Sequence, residues 1–278
     1  MRVLVNGKVT AAGVERKRRL AGLDVIFGRF NGSDGLAPHR HSYGVFCVML
    51  EGWMAEARNG ARTAEYGPAT VIYRPPEDVH ANRFARSGTL KVTLEPTSRE
   101  PLHMLQEFGF RPAVLFTSSS VRCMALGMRI YRELREAEAG VELMIEGLVL
   151  ELFGEICRLQ QPKASASKVS AWAQRVHARI REEFTASLTV ADYARAEGLH
   201  PIYVAQAFRT AYGLTIGQYI RQLRVKRAAQ LIQQKAMPFA EIALASGFYD
   251  QAHFSRVFKE ELGLTPTEFR RLAAGYRA

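Results

Sequence analysis

The stretch Gly247–Pro266, GFYDQAHFSRVFKEELGLTP, decides how this chain is read. As a turn followed by a helix, it places Phe254, Val257, Phe258 and Leu262 on one side. Ala252, Ser255, Arg256 and Lys259 fall on the other. Asp250 stands where an N-cap is wanted, and Gly263 where a helix ends in a left-handed turn. An apolar back with a small, polar, basic front suits a helix that enters a DNA major groove. An ordinary amphipathic surface helix has the same pattern, so the rest of the chain must choose between the two.

A second copy makes the choice. Ala194-x3-Gly198-Leu199 recurs as Ala243-x3-Gly247-Phe248, and Phe208-Arg209-x3-Gly213-Leu214-Thr215 recurs as Phe258-Lys259-x3-Gly263-Leu264-Thr265. Each copy reads as a short helix, a glycine turn and a second helix ending at another glycine. Small alanines allow close crossing and the glycines allow the turn, which makes each copy a helix-turn-helix. Ile216–Gln233 joins the two as one helix. At 1.5 Å per residue it spans about 27 Å, so with the units themselves it spaces two recognition helices by roughly one DNA turn, about 34 Å. Further helices are expected near Trp172–Phe184, Pro238–Ser246 and Pro266–Ala273, with capping boxes at Thr215-x2-Gln218 and Thr265-x2-Glu268 and a weaker one at Thr189-x2-Asp192. Two helical hairpins are too few for a protein-binding solenoid.

Charge points the same way. The net charge is +11 with a pI near 9.8. Residues 1–160 hold 21 Lys and Arg against 18 Asp and Glu, whereas residues 161–278 hold 17 against 9. The basic excess therefore belongs to the helical half, and nucleic acid is the first candidate for an anionic partner. Cys47, Cys123 and Cys157 are odd in number, distant and set in apolar surroundings, so reduced thiols are expected rather than a disulfide framework. The first twenty residues hold no apolar core of signal-peptide length, and the longest apolar run, Val45–Leu50, is too short to span a bilayer. A cytoplasmic protein without membrane partners is expected.

The pattern Ile242-Ala-x3-Gly247-Phe248-x-Asp250-Gln251-x-His253-Phe254-Ser255-Arg256-x-Phe258-Lys259-x3-Gly263-x-Thr265-Pro266-x3-Phe269-Arg270 resembles the signature of the AraC/XylS family of bacterial transcription regulators. Leu223-Arg224-Val225-Lys226-Arg227-Ala228 is similar to that family's linker-helix motif. The resemblance covers roughly residues 172–271. It implies a DNA-binding domain of two helix-turn-helix units, attached to a sensor and dimerisation domain. Carried over position by position, the base-facing residues of the second unit are Gln251, Ala252, Ser255 and Arg256; those of the first are Ile202, Ala205, Gln206 and Arg209. The first helix departs from the usual pattern, since Pro201, Ile202 and Ala205 leave few polar readers. Apolar contact with thymine methyls is expected there, with Gln206 the main hydrogen-bonding candidate. Arg224, Lys226, Arg227 and Lys259 are expected at phosphates.

The first half reads differently. From Met1 to about Phe116 short apolar or alternating runs alternate with turn clusters, as in a barrel or sandwich. These runs include Arg2–Val5, Leu23–Phe30, Val45–Leu50, Trp53–Ala57, Thr70–Tyr73 and Thr89–Leu94, with Asn59-Gly60 as a hairpin signal. Pro38-His39-Arg40-His41 and Gly67-x7-Pro75-x4-His80 resemble the two short motifs of cupin barrels. In metal-binding cupins a glutamate follows the His-x-His pair, but Val45 and Phe46 stand there. His39, His41 and His80 could still hold a divalent metal as three imidazoles. No cofactor is the first expectation. An effector pocket is favoured instead, with Tyr43, Cys47, Trp53 and Tyr73 as walls and His39, His41, Arg74, His80 and Arg83 as a cationic lining for a carboxylate or phosphate. Two helix-length segments follow, Val121–Ala137 and Val141–Gln160, one of them a candidate for pairing with a second copy.

The expected fold is two-domain α+β. A cupin-like β-barrel sensor (1–118) is followed by a helical dimerisation segment (119–160), a linker (161–170) and an all-α DNA-binding domain (171–278) of two helix-turn-helix units joined by a long helix. The expected function is sequence-specific transcription regulation rather than catalysis. Its partners would be double-stranded promoter DNA, a small-molecule effector, a second copy of the chain and, for an activator, RNA polymerase. The alternatives are a cupin metalloenzyme attached to a DNA-binding domain, and a regulator controlled by a protein partner.

Overall fold

The computed structural model describes residues 4–5, 13–32, 34–58, 63–86, 88–135, 139–160, 169–234 and 237–275. The Asn59-Gly60 hairpin signal, most of the linker and part of the Arg2–Val5 run lie outside them. The chain divides into two compact units, Met1–Gln161 and Pro162–Ala278.

The first unit carries strands β1 (Leu4–Val5), β2 (Val14–Leu20), β3 (Leu23–Phe30), β4 (Leu36–Arg40), β5 (Val45–Glu51), β6 (Met54–Arg58), β7 (Ala64–Tyr66), β8 (Thr70–Arg74), β9 (His80–Phe84) and β10 (Thr89–Pro96). Helix α1 (Glu100–Glu107), strand β11 (Phe116–Ser119) and helices α2 (Val121–Arg135) and α3 (Val141–Gln160) complete it. Two sheets form, ordered β1-β4-β9-β6-β7 and β11-β8-β5-β10-β3-β2. Among the described residues no ladder joins them into a closed barrel, so the unit is a two-sheet sandwich in its hydrogen bonding.

The core lies between the sheets. Phe30, Cys47 and Ile72 from one meet Met54, Tyr66 and Phe84 from the other, and Phe30 stacks on Phe84 with centroids 4.3 Å apart. Helices α2 and α3 cover the outer face of the six-stranded sheet, where Phe27 stacks on Tyr131 and Phe46 meets Phe153. Strand β5 is thus buried on both faces, which is why Val45–Leu50 is apolar without alternation. At Gly127 an added Cβ would lie 2.8 Å from Leu50 Cδ2, so glycine lets α2 settle on the sheet.

Strands β2, β4, β7, β9 and β11 and helix α1 fall outside the runs read from the sequence. Strand β2, VERKRRL, is an edge strand paired with β3; its charges suit an edge, and Lys17 and Arg19 both pair with Asp24. Helix α1 falls inside the region read as entirely β. Its signals are Pro101 in the first turn and the i, i+3 pair Leu102 and Leu105, both buried.

The second unit is helical: α4 (Ala171–Glu183), α5 (Val190–Ala196), α6 (Pro201–Tyr212), α7 (Ile216–Gln234), α8 (Phe239–Ala245), α9 (Gln251–Leu262) and α10 (Pro266–Gly275). Helix α7 is shared. Its first half joins α4, α5 and α6 around Val176, Ile180, Tyr193, Val204 and Phe208, and it also packs against α8, α9 and α10. No described helix is long and apolar enough to cross a membrane.

Candidate nucleic-acid interface and effector site

The sequence repeat is a repeat of geometry. Helix α5 turns into α6 through Gly198 at φ +66, and α8 into α9 through Gly247 at φ +84. Ala194 and Ala243 are fully buried at the equivalent crossings, and so are Phe208 and Phe258. Gly213 and Gly263 end the second helices with φ near +70 and ψ near zero. Each is followed by a reciprocal cap: Thr215 Oγ1 accepts from Gln218 N while Thr215 N donates to Gln218 Oε1, and Thr265 and Glu268 repeat the pattern. Asp250 caps α9 by accepting from His253 N at 2.7 Å, whereas α6 opens on His200 and Pro201, a weaker start.

On α9, Gln251, Ala252, Arg256 and Lys259 are exposed and Ser255 is half-buried, while Phe254, Val257, Phe258 and Leu262 face the core. On α6, Gln206 and Arg209 are exposed, Ala205 is half-buried and Ile202 is 62% exposed. Among the described residues no carboxylate pairs with Arg209, Arg227, Arg256 or Lys259, so their charge is available to an outside anion. Arg224 differs from what was expected of it. Its Nε donates to Phe184 O at 2.7 Å and its Nη2 to Ala186 O at 2.9 Å, which commits the guanidinium to backbone inside the unit. Lys226 is half-buried, and that burial lowers its pKa.

In the first unit, His39 on β4 lies across the β4–β9 ladder from His80, and His41 follows just beyond β4. One ring nitrogen from each lies within 4.8 Å of the others, and all three rings are buried. His39 Nδ1 meets Ala37 O at 2.8 Å, His80 Nδ1 meets Asp78 O at 3.0 Å, and His41 Nδ1 meets Glu95 Oε1 at 2.7 Å. Carbonyl oxygens only accept, so Nδ1 of His39 and His80 carries the proton and a neutral ring leaves Nε2 as a free lone pair. Burial holds His39 down to about 4 and lowers His80 as well, with Arg74 adding to the effect on His80. These two rings are therefore neutral near pH 7.

The residues present fit a borderline divalent ion: three imidazoles oriented from behind by oxygen acceptors. Val45 is buried and apolar where a cupin glutamate would stand, so a fourth ligand would have to come from solvent or from a bound molecule.

The other expected lining residues are not gathered alike. Arg74 is buried and bonds Glu56, to which Asn82 Nδ2 also donates at 3.1 Å. Tyr43 is half-buried in the turn before β5. Arg83, expected in the lining, is exposed on β9 between the buried Asn82 and Phe84, so strand alternation turns it away from the histidines. Sequence reasoning missed Glu95 and Lys91. Lys91 is buried in β10, with Nζ 4.9 Å from the Phe30 ring centroid, and burial lowers its pKa. Lys91 falls in phase with Thr89, Thr93 and Glu95 in an alternating strand, a pattern that reads as a solvent face and hides its burial.

Two helix-turn-helix units built on one shared helix define a bipartite helix-turn-helix protein. A family model described as "Helix-turn-helix domain" matches residues 193–272. The chain is 43% identical over 256 residues to the HTH-type transcriptional activator RhaR of Salmonella paratyphi B, covering 86% of this chain and 89% of that one. It is 32% identical over 133 residues to the Msm operon regulatory protein of Streptococcus mutans, covering 47% and 48%; the match spans about half the length of that relative. The solved C-terminal domain of AraT, a response regulator from Geobacillus stearothermophilus, overlaps 38% of this chain and 88% of its own at 27% identity, with a TM-score of 0.37. The chain belongs to the AraC/XylS family of transcription regulators.

Proposed function

We propose that this chain is a sequence-specific, promoter-binding transcription regulator of the cytoplasm, not an enzyme. The observation that carries this reading is the pair of helices α6 and α9, each ended by a left-handed glycine and followed by a reciprocal threonine cap, whose outward faces hold cations with no carboxylate partner among the described residues. In this reading Gln251, Ala252, Ser255 and Arg256 read bases in one major groove, and Ile202, Ala205, Gln206 and Arg209 read the next. Lys259 and Arg227 hold phosphates. The sandwich of the first unit is the cupin-like sensor, with a small-molecule effector bound near His39, His41, His80 and Arg74.

Two substitutions separate base reading from phosphate contact. Arg256→Ala costs about 1–3 kcal/mol on duplexes selected by the parent protein and relaxes base preference. Lys259→Ala weakens all duplexes alike and lowers the salt slope by about one. An Arg256→Ala variant that binds as the parent does would place the reading face elsewhere.

One observation favours a second input: the three histidines bound through Nδ1, with Nε2 left over. A divalent ion held there would act as effector or as part of the effector site. Cobalt(II) titration of the purified full-length chain tests this. The expected result is one equivalent of ligand-field absorption that His80→Ala abolishes. Absorption that survives His80→Ala would remove the ion from this site.

A further inference from the structure

The two glycine turns both take a positive φ but have different surroundings. At Gly198 an added Cβ would meet nothing within 4 Å. At Gly247 it would lie 2.6 Å from Thr185 Cα, 2.8 Å from Thr185 O and 3.0 Å from Arg224 Nε. The helix-turn-helix itself accounts for the positive φ at both turns, but not for this crowding at one of them. Thr185 belongs to the loop between α4 and α5, on the side of the first unit of the repeat. Gly247 is the turn of the second. The two halves therefore touch directly, away from the axis of the helix they share.

Arg224 holds that contact. It projects from the middle of α7, donates to the carbonyls of Phe184 and Ala186 on either side of Thr185, and sits beside Gly247. A guanidinium can make both bonds at once with a fixed fork; an ammonium on a flexible stem cannot reproduce that geometry. A single helix leaves the far ends of the two halves free to bend and twist about it. A second attachment beside the axis restricts both.

We propose that Arg224 is a positioning residue that fixes the separation and relative rotation of α6 and α9, and thereby the spacing between the two DNA half-sites the protein accepts. It does this without touching DNA. The consequence for DNA rests on the bipartite reading above; the consequence for the protein does not.

Two measurements on the full-length chain test the claim, using Arg224→Lys, which keeps the charge. In the first, spin labels are placed at the exposed positions Thr210 on α6 and Glu260 on α9 through Thr210→Cys and Glu260→Cys; the three native cysteines are buried. Electron–electron double resonance without DNA should give a narrow distance distribution in the parent and a clearly broader or shifted one in Arg224→Lys. In the second, duplexes selected by the parent from a randomised pool are tested intact, as isolated halves, and with one base pair inserted between halves. Arg224→Lys and Arg224→Met should both bind the intact site at least tenfold more weakly than the parent and each isolated half within about twofold. Both should discriminate less against the insertion, with the salt slope of Arg224→Met unchanged. Identical distance distributions overturn the proposal. A uniform loss on every duplex, with the Arg224→Met salt slope reduced by about one, also overturns it and makes Arg224 a phosphate ligand. If the parent selects no DNA, the bipartite reading fails and the distance measurement still decides the role of Arg224.

Discussion

Arg224 and Arg256 both stand in basic, helical surroundings, and the sequence assigns them to the same partner. Only the structure separates them, because the carbonyls of Phe184 and Ala186 lie about 40 residues away in the chain, and nothing in a helical pattern reveals which backbone groups lack partners. Arg256, by contrast, is legible: its place on the polar face of a strongly amphipathic helix fixes its exposure. The histidines divide similarly. The His-x-His spacing and the later His80 suggested a cluster, but Glu95 behind His41 required the strand pairing. The ordinary histidine value is about 6.5, and His39 in the folded protein sits near 4. Between these values the unfolded chain takes up a proton that the folded chain refuses, so stability present above pH 6.5 is lost as pH falls toward 4. Denaturant unfolding of Trp172→Phe, which leaves Trp53 as the reporter of the first unit, should show a lower midpoint at pH 5 than at pH 7. His39→Asn should reduce that difference. An unchanged midpoint would mean that His39 is not held neutral by burial.

Among the elements, those with strong periodicity were readable, and those chosen by tertiary context were not. Helices α6 and α9 follow from glycine stops and apolar stripes within a few residues, and α7 from the Thr215–Gln218 cap at its start. Strand β2 does not, because its charges are tolerated only at a sheet edge, and α1 is too short to impose a period on the β pattern around it. Helix α3 raises a question of partnership. It buries Ile145, Leu148, Leu152 and Ile156, yet leaves Leu143 74% exposed, with Met144 and Leu150 also outward. An apolar groove lined by Leu20, Pro101, Met104, Val149 and Phe153 lies beside it. A second copy of the chain is the occupant proposed for this face. Leu150→Glu should convert a dimer to monomer in sedimentation velocity while leaving the far-ultraviolet circular dichroism unchanged. A dimer that survives the substitution would place the interface elsewhere.

At the scale of the whole molecule, the division into a sheet-rich unit and a helical unit was visible as a change of period and as an uneven distribution of charge. The first unit's exact closure was not, because strand pairing between distant segments leaves no mark on either segment alone. Among the described residues two sheets form, with no ladder joining them. The second unit's architecture was visible because it is written twice. In the proposed reading α6 and α9, carried by α7, enter successive major grooves on one face of the duplex. Helix α7 has 19 residues and is about 28 Å long, against about 34 Å for one DNA turn. Hydroxyl-radical footprinting of the purified protein on its selected duplex measures this directly. Two protected patches are expected on the same face, centred about 10 base pairs apart, with Arg256→Ala weakening one of them selectively. A single short patch, or protection that shows no sequence preference and fades uniformly with salt, would contradict it.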